Sequence, residues 1–414
     1  GERFQLPEDY YSSKFLIDKT IEFIDTNRHD SQPFFAYVPF QAVHIPVQAP
    51  QEYIDKYIGV YDEGWHKLRE SRHTRAVSMD VLADTVAMQT MSTTDDWQAL
   101  TAERKRYEAK RMAVYAAMIE AMDHNIGRLI SYLKESGLYE NTIFVFTSDN
   151  GAEGSGSPDP TAFAASRIPA SLGYNSDYET LGLKGSYSTI SPSFTSAAVS
   201  PLAFYKFYVG EGGLRVPLII SGQPLGKAPR QTTAFAWATD IAATILSYAG
   251  VDQPGPRYGG RPVLPITGRD LKPVISGKAD RVYGPEDAVG YELTGHSVLF
   301  QGDYKLLRNQ PPLGDGHWYL YDIAQDPGEV KDLKALMPQH YQRMLSAYKT
   351  FERDNKVQPI PPGYSQSGQL AKNFIRDQSR SAVIVGLLTL LVLLPFFVAI
   401  RMRRHTLDTQ KKIE

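Results

Sequence analysis

Asp149 and Asn150 are the side chains whose types and position most clearly predict chemistry. They come shortly after Ile143–Phe146, a continuous apolar run of the kind that forms a strand buried on both faces of a parallel sheet. Open α/β sheets bind their ligands at the carboxyl ends of the strands. Carboxylate and amide oxygens are the donors that Ca²⁺ and Mg²⁺ prefer. The pair therefore predicts a divalent-cation site, with a polar turn that closes a strand as the alternative.

A histidine and a lysine elsewhere in the chain could reach the same sheet edge. His44 follows the apolar run Pro33–Phe40, and its imidazole could donate a proton or a hydrogen bond to an anionic group. Lys206 lies five residues before Glu211, which opens a glycine turn, and glycine lets backbone approach a ligand closely. Lys184, in LGLKGSYS, is an alternative to Lys206. A structural hydrogen bond for the histidine and a solvated lysine are the alternative interpretations.

The elements that must position these side chains follow from hydrophobic periodicity. Apolar residues at helical spacing predict a helix over Glu103–Ser136, which precedes the strand Ile143–Phe146. A strand, a crossover helix and a second strand form the unit of a parallel sheet. We therefore predict an α/β fold with a mostly parallel central sheet flanked by helices. Further predicted elements are helices over Tyr11–Thr26, Asp240–Gly250 (with Asp240 as N-cap) and Leu333–Phe351, strands over Pro33–Phe40, Val216–Ser221 and Tyr319–Tyr321, and a hairpin over Tyr291–Arg308 that turns at Gly302–Asp303.

Composition excludes several classes of function. The 414 residues include 44 Lys and Arg against 46 Asp and Glu, a formal net charge of −2, which provides no field for nucleic acid. The chain has no cysteine. Disulfides, thiolate metal sites and a cysteine nucleophile are therefore excluded.

The C-terminal region predicts a membrane anchor. Ser381–Ile400 reads SAVIVGLLTLLVLLPFFVAI, which is twenty residues without a charge and long enough to cross a bilayer at about 1.5 Å per residue. Five basic residues follow it and three precede it, which favours a cytoplasmic C-terminus. We predict a single-pass protein of the cell (inner) membrane that contacts the lipid bilayer and faces the periplasm or the exterior. The predicted divisions are an α/β domain (1–285), a small α+β subdomain (286–354), a linker (355–380), a transmembrane helix (381–400) and a cytoplasmic tail (401–414).

Several motifs follow one another in a specific order over residues 1–350. They read PFFAYVPFQAVHIPVQAP, YAAMIEAMDHNIGRLISYL, FVFTSDNGAE, KFYVGEGGLRVP, TDIAATILSYAG, GYELTGHSVLFQGDYKLLR and LYDIAQDPGEVKDL. Together they resemble the sulfatase family of the alkaline phosphatase superfamily, and bacterial arylsulfatases in particular. The resemblance makes residues 1–285 the C-terminal portion of a catalytic α/β domain.

The resemblance implies an enzyme, a sulfuric ester hydrolase that cleaves sulfate esters with the help of a divalent cation. It assigns Asp149 and Asn150 to ligation of that cation, usually Ca²⁺, with Mg²⁺ as the alternative. It assigns His44 and Lys206 to contact with the sulfate or the leaving group, as catalytic and substrate-binding residues. The family's spacing to Glu-Gly-Gly selects Lys206 over Lys184.

The chain departs from the family pattern in one decisive respect. Sulfatases use a formylglycine made from Cys or Ser in a C/S-x-P-x-R motif, and this chain contains neither cysteine nor S-x-P-x-R. The family's early Asp-Asp metal pair is absent as well. We therefore expect the C-terminal part of a sulfatase, with the N-terminal part missing or supplied as a separate chain, and little or no activity of this fragment alone. The alternatives are a phosphodiesterase or phosphonate hydrolase of the same superfamily, a non-catalytic membrane-anchored relic of a sulfatase, and a membrane transport component.

Overall fold

The computed structural model describes residues 4–28, 32–154, 170, 172–226, 231–311 and 314–365, together with 368–369, 372–373 and 376. The chain forms two compact units, Gly1–Lys356 and Val357–Glu414. All the elements below belong to the first unit. The predicted boundary between residues 285 and 286 stays a prediction.

Two N-terminal helices confirm their predictions almost to the residue. Helix α1 (Ser12–Asn27) buries Ile17 and Ile24. The long α4 (Ala102–Glu135) begins after Thr101, whose hydroxyl accepts a hydrogen bond from the backbone N–H of Arg104 at 3.2 Å. Such N-caps satisfy a donor that the helix itself leaves without a partner. The remaining helices of this half are α2 (Gln51–Ile54), α3 (Gly64–Ser78) and α5 (Pro192–Val199).

An aromatic core packs beneath α4. Trp65, Trp97 and Phe194 meet edge to face, with ring centroids 4.7 to 6.0 Å apart. Val114 and Met118 of α4 belong to the same buried cluster. Its apolar burial is the main force that holds α3, α4 and α5 together.

The predicted mostly parallel sheet is wrong. Strand β1 (Phe144–Thr147) pairs with β2 (Leu218–Ser221) in antiparallel register, and Phe146 faces Ile219. Both of these side chains are exposed, at 36% and 56%, so the prediction of a strand buried on both faces fails as well. A short apolar run does not by itself report the direction of pairing or the number of neighbouring strands.

Pro33–Phe40, predicted as a buried strand, forms no strand in the structure. Phe35 and Tyr37 are 72% and 80% exposed. An extended segment becomes a strand only where a neighbour pairs with its backbone groups. Within the described residues, no ladder includes 32–40. The strand–helix–strand unit behind the parallel-sheet prediction is therefore absent from the described fold.

The region after β2 is built on a four-stranded antiparallel sheet. Its strands are β5 (Ala288–Leu293), β6 (His296–Gln301), β7 (Tyr304–Arg308) and β8 (Tyr319–Asp322), in that order across the sheet. The predicted hairpin at Gly302–Asp303 is confirmed, because Gln301 pairs with Tyr304 on either side of it. The α-helix that precedes β2 is α6 (Glu211–Leu214), and the other α-helices and strands described after β2 are α7 (Ala238–Ala249), β3 (Arg257–Tyr258), β4 (Arg261–Pro262), α8 (Lys272–Ile275) and α9 (Pro338–Asp354).

Helix α9 covers one face of this sheet. Its Met344 and Tyr348 are fully buried against Leu299 of β6, Leu306 of β7 and Leu320 of β8. The opposite face packs Val298 and Phe300 on Val209, which precedes the sheet in sequence. The sheet is thus covered on both sides, and its second face meets the segment that contains Lys206.

Asp240 is a helix-start residue, but not in the predicted position. The N-cap of α7 is Trp237, and the carboxylate of Asp240 accepts a hydrogen bond from the Trp237 backbone N–H at 2.6 Å. A carboxylate in the first turn satisfies the same backbone donors from inside the helix. The helix therefore begins two residues earlier than predicted.

One finding contradicts the prediction of a single-pass membrane protein. In the ranges that the structure describes, no helix is both long enough and apolar enough to cross a bilayer. The stretch 381–400, on which that prediction and the cytoplasmic tail depended, lies outside the described residues.

Candidate functional site

His44 lies in an exposed loop that is held from both ends. Its own N–H donates to Gln41 O at 2.8 Å, and Val47 N donates to Ser188 O at 2.7 Å. The ring Nδ1 lies 2.9 Å from Ile45 O. A carbonyl oxygen can only accept a hydrogen bond, so Nδ1 carries a proton in this arrangement.

Lys206 meets His44 across the fold. Its Nζ lies 3.1 Å from the His44 Nε2, although 162 residues separate the two in sequence. An ammonium group can only donate, so Nε2 must offer a lone pair. With its proton on Nδ1 and its lone pair on Nε2, the His44 ring is neutral, and both nitrogens have partners.

The other candidate lysine lies elsewhere. Lys184 Nζ approaches the backbone oxygen of Glu8 at 3.5 Å. It makes no hydrogen bond or ion pair with His44 in the described part of the chain. The geometry therefore brings Lys206, and not Lys184, to His44.

Asp149 and Asn150 lie on a loop bonded to the Lys206 segment at two backbone positions. Gly151 N donates to Gly213 O at 3.0 Å, and Lys206 N donates to Ala152 O at 3.0 Å. A Cβ on Gly151 would lie 1.8 Å from the Gly212 carbonyl oxygen, so only glycine allows this close approach. The two segments are thus fixed against each other.

The side chains of the predicted metal pair do not join the His44–Lys206 contact. Asp149 is exposed and Asn150 half-buried, and within the described ranges the Asp149 carboxylate has no hydrogen-bond or ion-pair partner. Together they offer one carboxylate and one amide oxygen. Among the residues described, no group of three or more His, Asp or Glu could hold a metal ion. The pair can therefore supply two of the six to eight oxygen ligands that Ca²⁺ takes.

Glu153 is a site residue that the sequence analysis did not single out. Its Oε2 lies 2.8 Å from Lys206 Nζ, with side-chain exposures of 8% and 17%. It is the last residue of the FVFTSDNGAE motif, three positions after Asn150, and this place in the motif is the signal that could have drawn attention to it. Lys206 thus lies between the carboxylate of Glu153 and the imidazole of His44.

A buried ion network joins the segment after Lys206 to the C-terminal sheet. Lys305 of β7, which is fully buried, lies 2.8 Å from Glu211 and 2.7 Å from Glu329. Glu211 also pairs with Arg215 at 2.7 Å, and its backbone N–H donates to Glu329 Oε2 at 3.2 Å. A buried charge is costly unless it is paired, and here each charge has an opposite partner.

The two carboxyls of this network have opposite pKa shifts. Burial disfavours the charged form of Glu211, but the positive charges of Lys305 and Arg215 outweigh burial and hold its pKa below its ordinary value. Burial raises the pKa of Glu329 from 4.5 to about 7, because the attraction of Lys305 is partly cancelled by the negative charge of Glu211. Nearby charges and desolvation are the two effects at work.

Known proteins with similar sequences point to one family. A family model described as Sulfatase matches residues 2–251. An uncharacterized sulfatase from Schizosaccharomyces pombe is 35% identical over 360 residues, which are 86% of this chain and 64% of that protein. An arylsulfatase from Klebsiella aerogenes is 32% identical over 279 residues, which are 67% of this chain and 59% of that protein. The chain thus spans less than two thirds of the length of either relative.

Solved structures share the fold at low sequence identity. Ps i-CgsB in complex with k-i-k-neocarrahexaose matches with a TM-score of 0.54 and 18% identity, over 88% of this chain and 60% of that one. A putative sulfatase from Bacteroides fragilis matches with a TM-score of 0.50 and 18% identity, over 83% of this chain and 59% of that one. The family model covers more than half of the chain, and the fold agrees with it. The chain belongs to the sulfatase family.

Proposed function

We propose that this protein takes part in the hydrolysis of sulfate esters, with His44 and Lys206 as the groups that bind the sulfate and act on the leaving oxygen. The observation that supports this most directly is the 3.1 Å contact between Lys206 Nζ and His44 Nε2. An ammonium beside an imidazole provides hydrogen bonds and positive charge, which is what a tetrahedral oxyanion requires. The arylsulfatase name of the Klebsiella aerogenes relative favours aryl sulfates as the substrate class.

The two residues have different roles in this proposal. Lys206 places its positive charge against the sulfate oxygens and donates a hydrogen bond to the ester oxygen as negative charge develops there. His44 holds a lone pair at Nε2 and a proton at Nδ1, so its Nε2 accepts a hydrogen bond from the Lys206 ammonium and orients it toward a bound anion. Both side chains are held in place by backbone contacts on either side, which favours the pre-organisation that such stabilisation needs.

Asp149 and Asn150 are proposed as two ligands of a divalent cation, Ca²⁺ or Mg²⁺. When bound, such an ion would supply further positive charge against the sulfate oxygens. Within the described residues the Asp149 carboxylate has no hydrogen-bond or ion-pair partner, which supports this role. No C/S-x-P-x-R motif occurs in the chain, so we assign no nucleophile to it and expect no turnover of an aryl sulfate by this polypeptide alone.

Binding of inorganic sulfate tests the proposal without requiring turnover. Isothermal titration of the protein with sodium sulfate should detect a site, and Lys206→Ala should weaken it about tenfold to a hundredfold, the usual cost of losing a hydrogen bond to a charged group. His44→Ala should weaken it as well, because Lys206 then loses an acceptor that orients its ammonium. Lys184→Ala is the matched control, because it removes the same charge from the alternative lysine. Equal losses in Lys206→Ala and Lys184→Ala would reject a specific site at Lys206. Tighter binding of inorganic phosphate than of sulfate would instead favour a phosphate or phosphonate ester.

A further inference from the structure

The ammonium of Lys206 has two acceptors, His44 Nε2 and the Glu153 carboxylate, and the proposed function uses only the first. One hydrogen of Nζ points to the Glu153 carboxylate at 2.8 Å, and another to His44 Nε2 at 3.1 Å. An ammonium has three hydrogens, so a third is available for a bound oxyanion. Glu153 is almost fully buried, with 8% of its side chain exposed. A carboxylate placed there stabilises the fold only while its partner cation stays beside it.

Backbone contacts fix both ends of the Glu153–Lys206 pair. The Thr195 hydroxyl of α5 donates to Glu153 O at 3.3 Å, and Lys206 N donates to Ala152 O at 3.0 Å. The next residue, Gly154, lies against the ring of Tyr205, with which an added Cβ would collide at 2.7 Å. The carboxylate and the lysine stem are therefore held close together by the main chain, and the pair depends little on side-chain freedom.

We propose that Glu153 is the positioning residue for Lys206: its carboxylate holds the ammonium where it donates to His44 Nε2, and so sets the direction of the lysine and, together with the Ile45 carbonyl oxygen, the tautomer of the histidine. This inference rests on the proposed function of His44 and Lys206 and adds to it a residue with a defined task. A lysine side chain has many rotamers, and a second fixed acceptor beside its ammonium removes much of that freedom before any anion arrives.

The tautomer of His44 reports this role without any substrate. In the folded protein at pH 8, ¹⁵N NMR of the histidine rings should show His44 protonated at Nδ1 and unprotonated at Nε2. The signals of the nine histidines are assigned with His44→Ala. In Glu153→Ala, Lys206 is no longer held beside Nε2 and only the Ile45 carbonyl oxygen still favours the proton at Nδ1, so Nε2 should gain proton occupancy. Glu153→Gln keeps one oxygen acceptor for Nζ and should give an intermediate result.

Inorganic sulfate provides the second readout. Glu153→Ala should weaken sulfate binding about tenfold, because the lysine must then be ordered by the anion itself. Glu140→Ala, on the protein surface, is the matched control and should change neither the tautomer nor the affinity. If Glu153 acted only as a negative charge near an anion site, its removal would tighten sulfate binding.

The two readouts separate the inference from the function on which it rests. An unchanged His44 tautomer in Glu153→Ala, or tighter sulfate binding in that variant, would overturn the positioning role. A tautomer that changes as expected in a protein without any measurable sulfate binding would support the positioning role and overturn the proposed function. If Glu153→Ala does not fold, the isosteric Glu153→Gln decides by the same two measurements.

Discussion

Replacing Glu329 by glutamine should stabilise the protein at pH 8 much more than at pH 5. Glu329 is 3% exposed, and burial raises its pKa from 4.5 to about 7. The folded state therefore holds this proton more tightly than the unfolded chain does. The resulting stabilisation is fully present below pH 4.5 and is lost as the pH rises through about 7. Glutamine has nearly the same shape and cannot ionise, so it avoids that loss.

The expected size follows from the displacement of the pKa. A tenfold change in proton affinity corresponds to about 1.4 kcal/mol, so a pKa moved from 4.5 to about 7 corresponds to about 3 kcal/mol. Glu211 acts in the opposite direction, because its pKa is lowered from the ordinary value of 4.5. The stabilisation that it provides is present above pH 4.5 and is lost as the pH falls below that value. Because its pKa is held below 4.5, Glu211 stays charged in the folded protein between pH 5 and pH 8, and the change with pH in this range reports Glu329.

Urea denaturation at pH 5, 6, 7 and 8, followed by the fluorescence of the four tryptophans, measures this difference. With a denaturant slope of about 3 kcal/mol/M, the midpoint advantage of Glu329→Gln should grow by about 1 M between pH 5 and pH 8. Glu140→Gln, which changes an exposed glutamate, should follow the wild-type pH profile. A Glu329→Gln profile parallel to the wild type, or an advantage that shrinks as the pH rises, would refute the reasoning.

Two further predictions concern the loop after β1. Calorimetric titration with CaCl₂ should show only weak binding, with a Kd of about 10⁻⁴ M or higher, because two oxygen ligands do not complete the coordination of Ca²⁺. Asp149→Ala should abolish this binding, and Asp62→Ala, which changes an exposed aspartate, should not. Tight stoichiometric binding by the wild type would contradict the prediction. Gly151→Ala should destabilise the protein by at least about 1–3 kcal/mol in urea, because the new Cβ meets the Gly212 carbonyl at 1.8 Å. Gly127→Ala, in the open surface of α4, should stabilise it by about 0.5–1 kcal/mol; equal effects of the two alanines would show that the close approach is absent.

Local patterns in the sequence predicted local structure well. The helix predicted over Glu103–Ser136 is observed as Ala102–Glu135, because its apolar period extends over many turns and leaves no alternative. The hairpin at Gly302–Asp303 is observed as well, since a glycine that can adopt a positive φ marks a tight turn. Both features depend only on residues close together in the chain.

The sheet could not be predicted in the same way. Ile143–Phe146 and Val216–Ser221 were correctly expected to be strands, and residues 218–221 pair with β1, but antiparallel. The direction of pairing depends on which segments meet, and an apolar run does not identify the strand with which it pairs. Pro33–Phe40 has the composition of a strand, yet composition cannot supply the neighbour that its backbone needs.

The candidate site shows the same division. The sequence alone determined which residue types could act on an anion, namely the Asp149–Asn150 pair, His44 and Lys206, and that no cysteine could take part. Only the tertiary structure brought Lys206 to His44 across 162 residues and placed Glu153 behind the lysine. Chemical type is a property of each residue, whereas a contact depends on how the intervening chain folds. For that reason the identity of the candidates was readable from the sequence, and their arrangement was not.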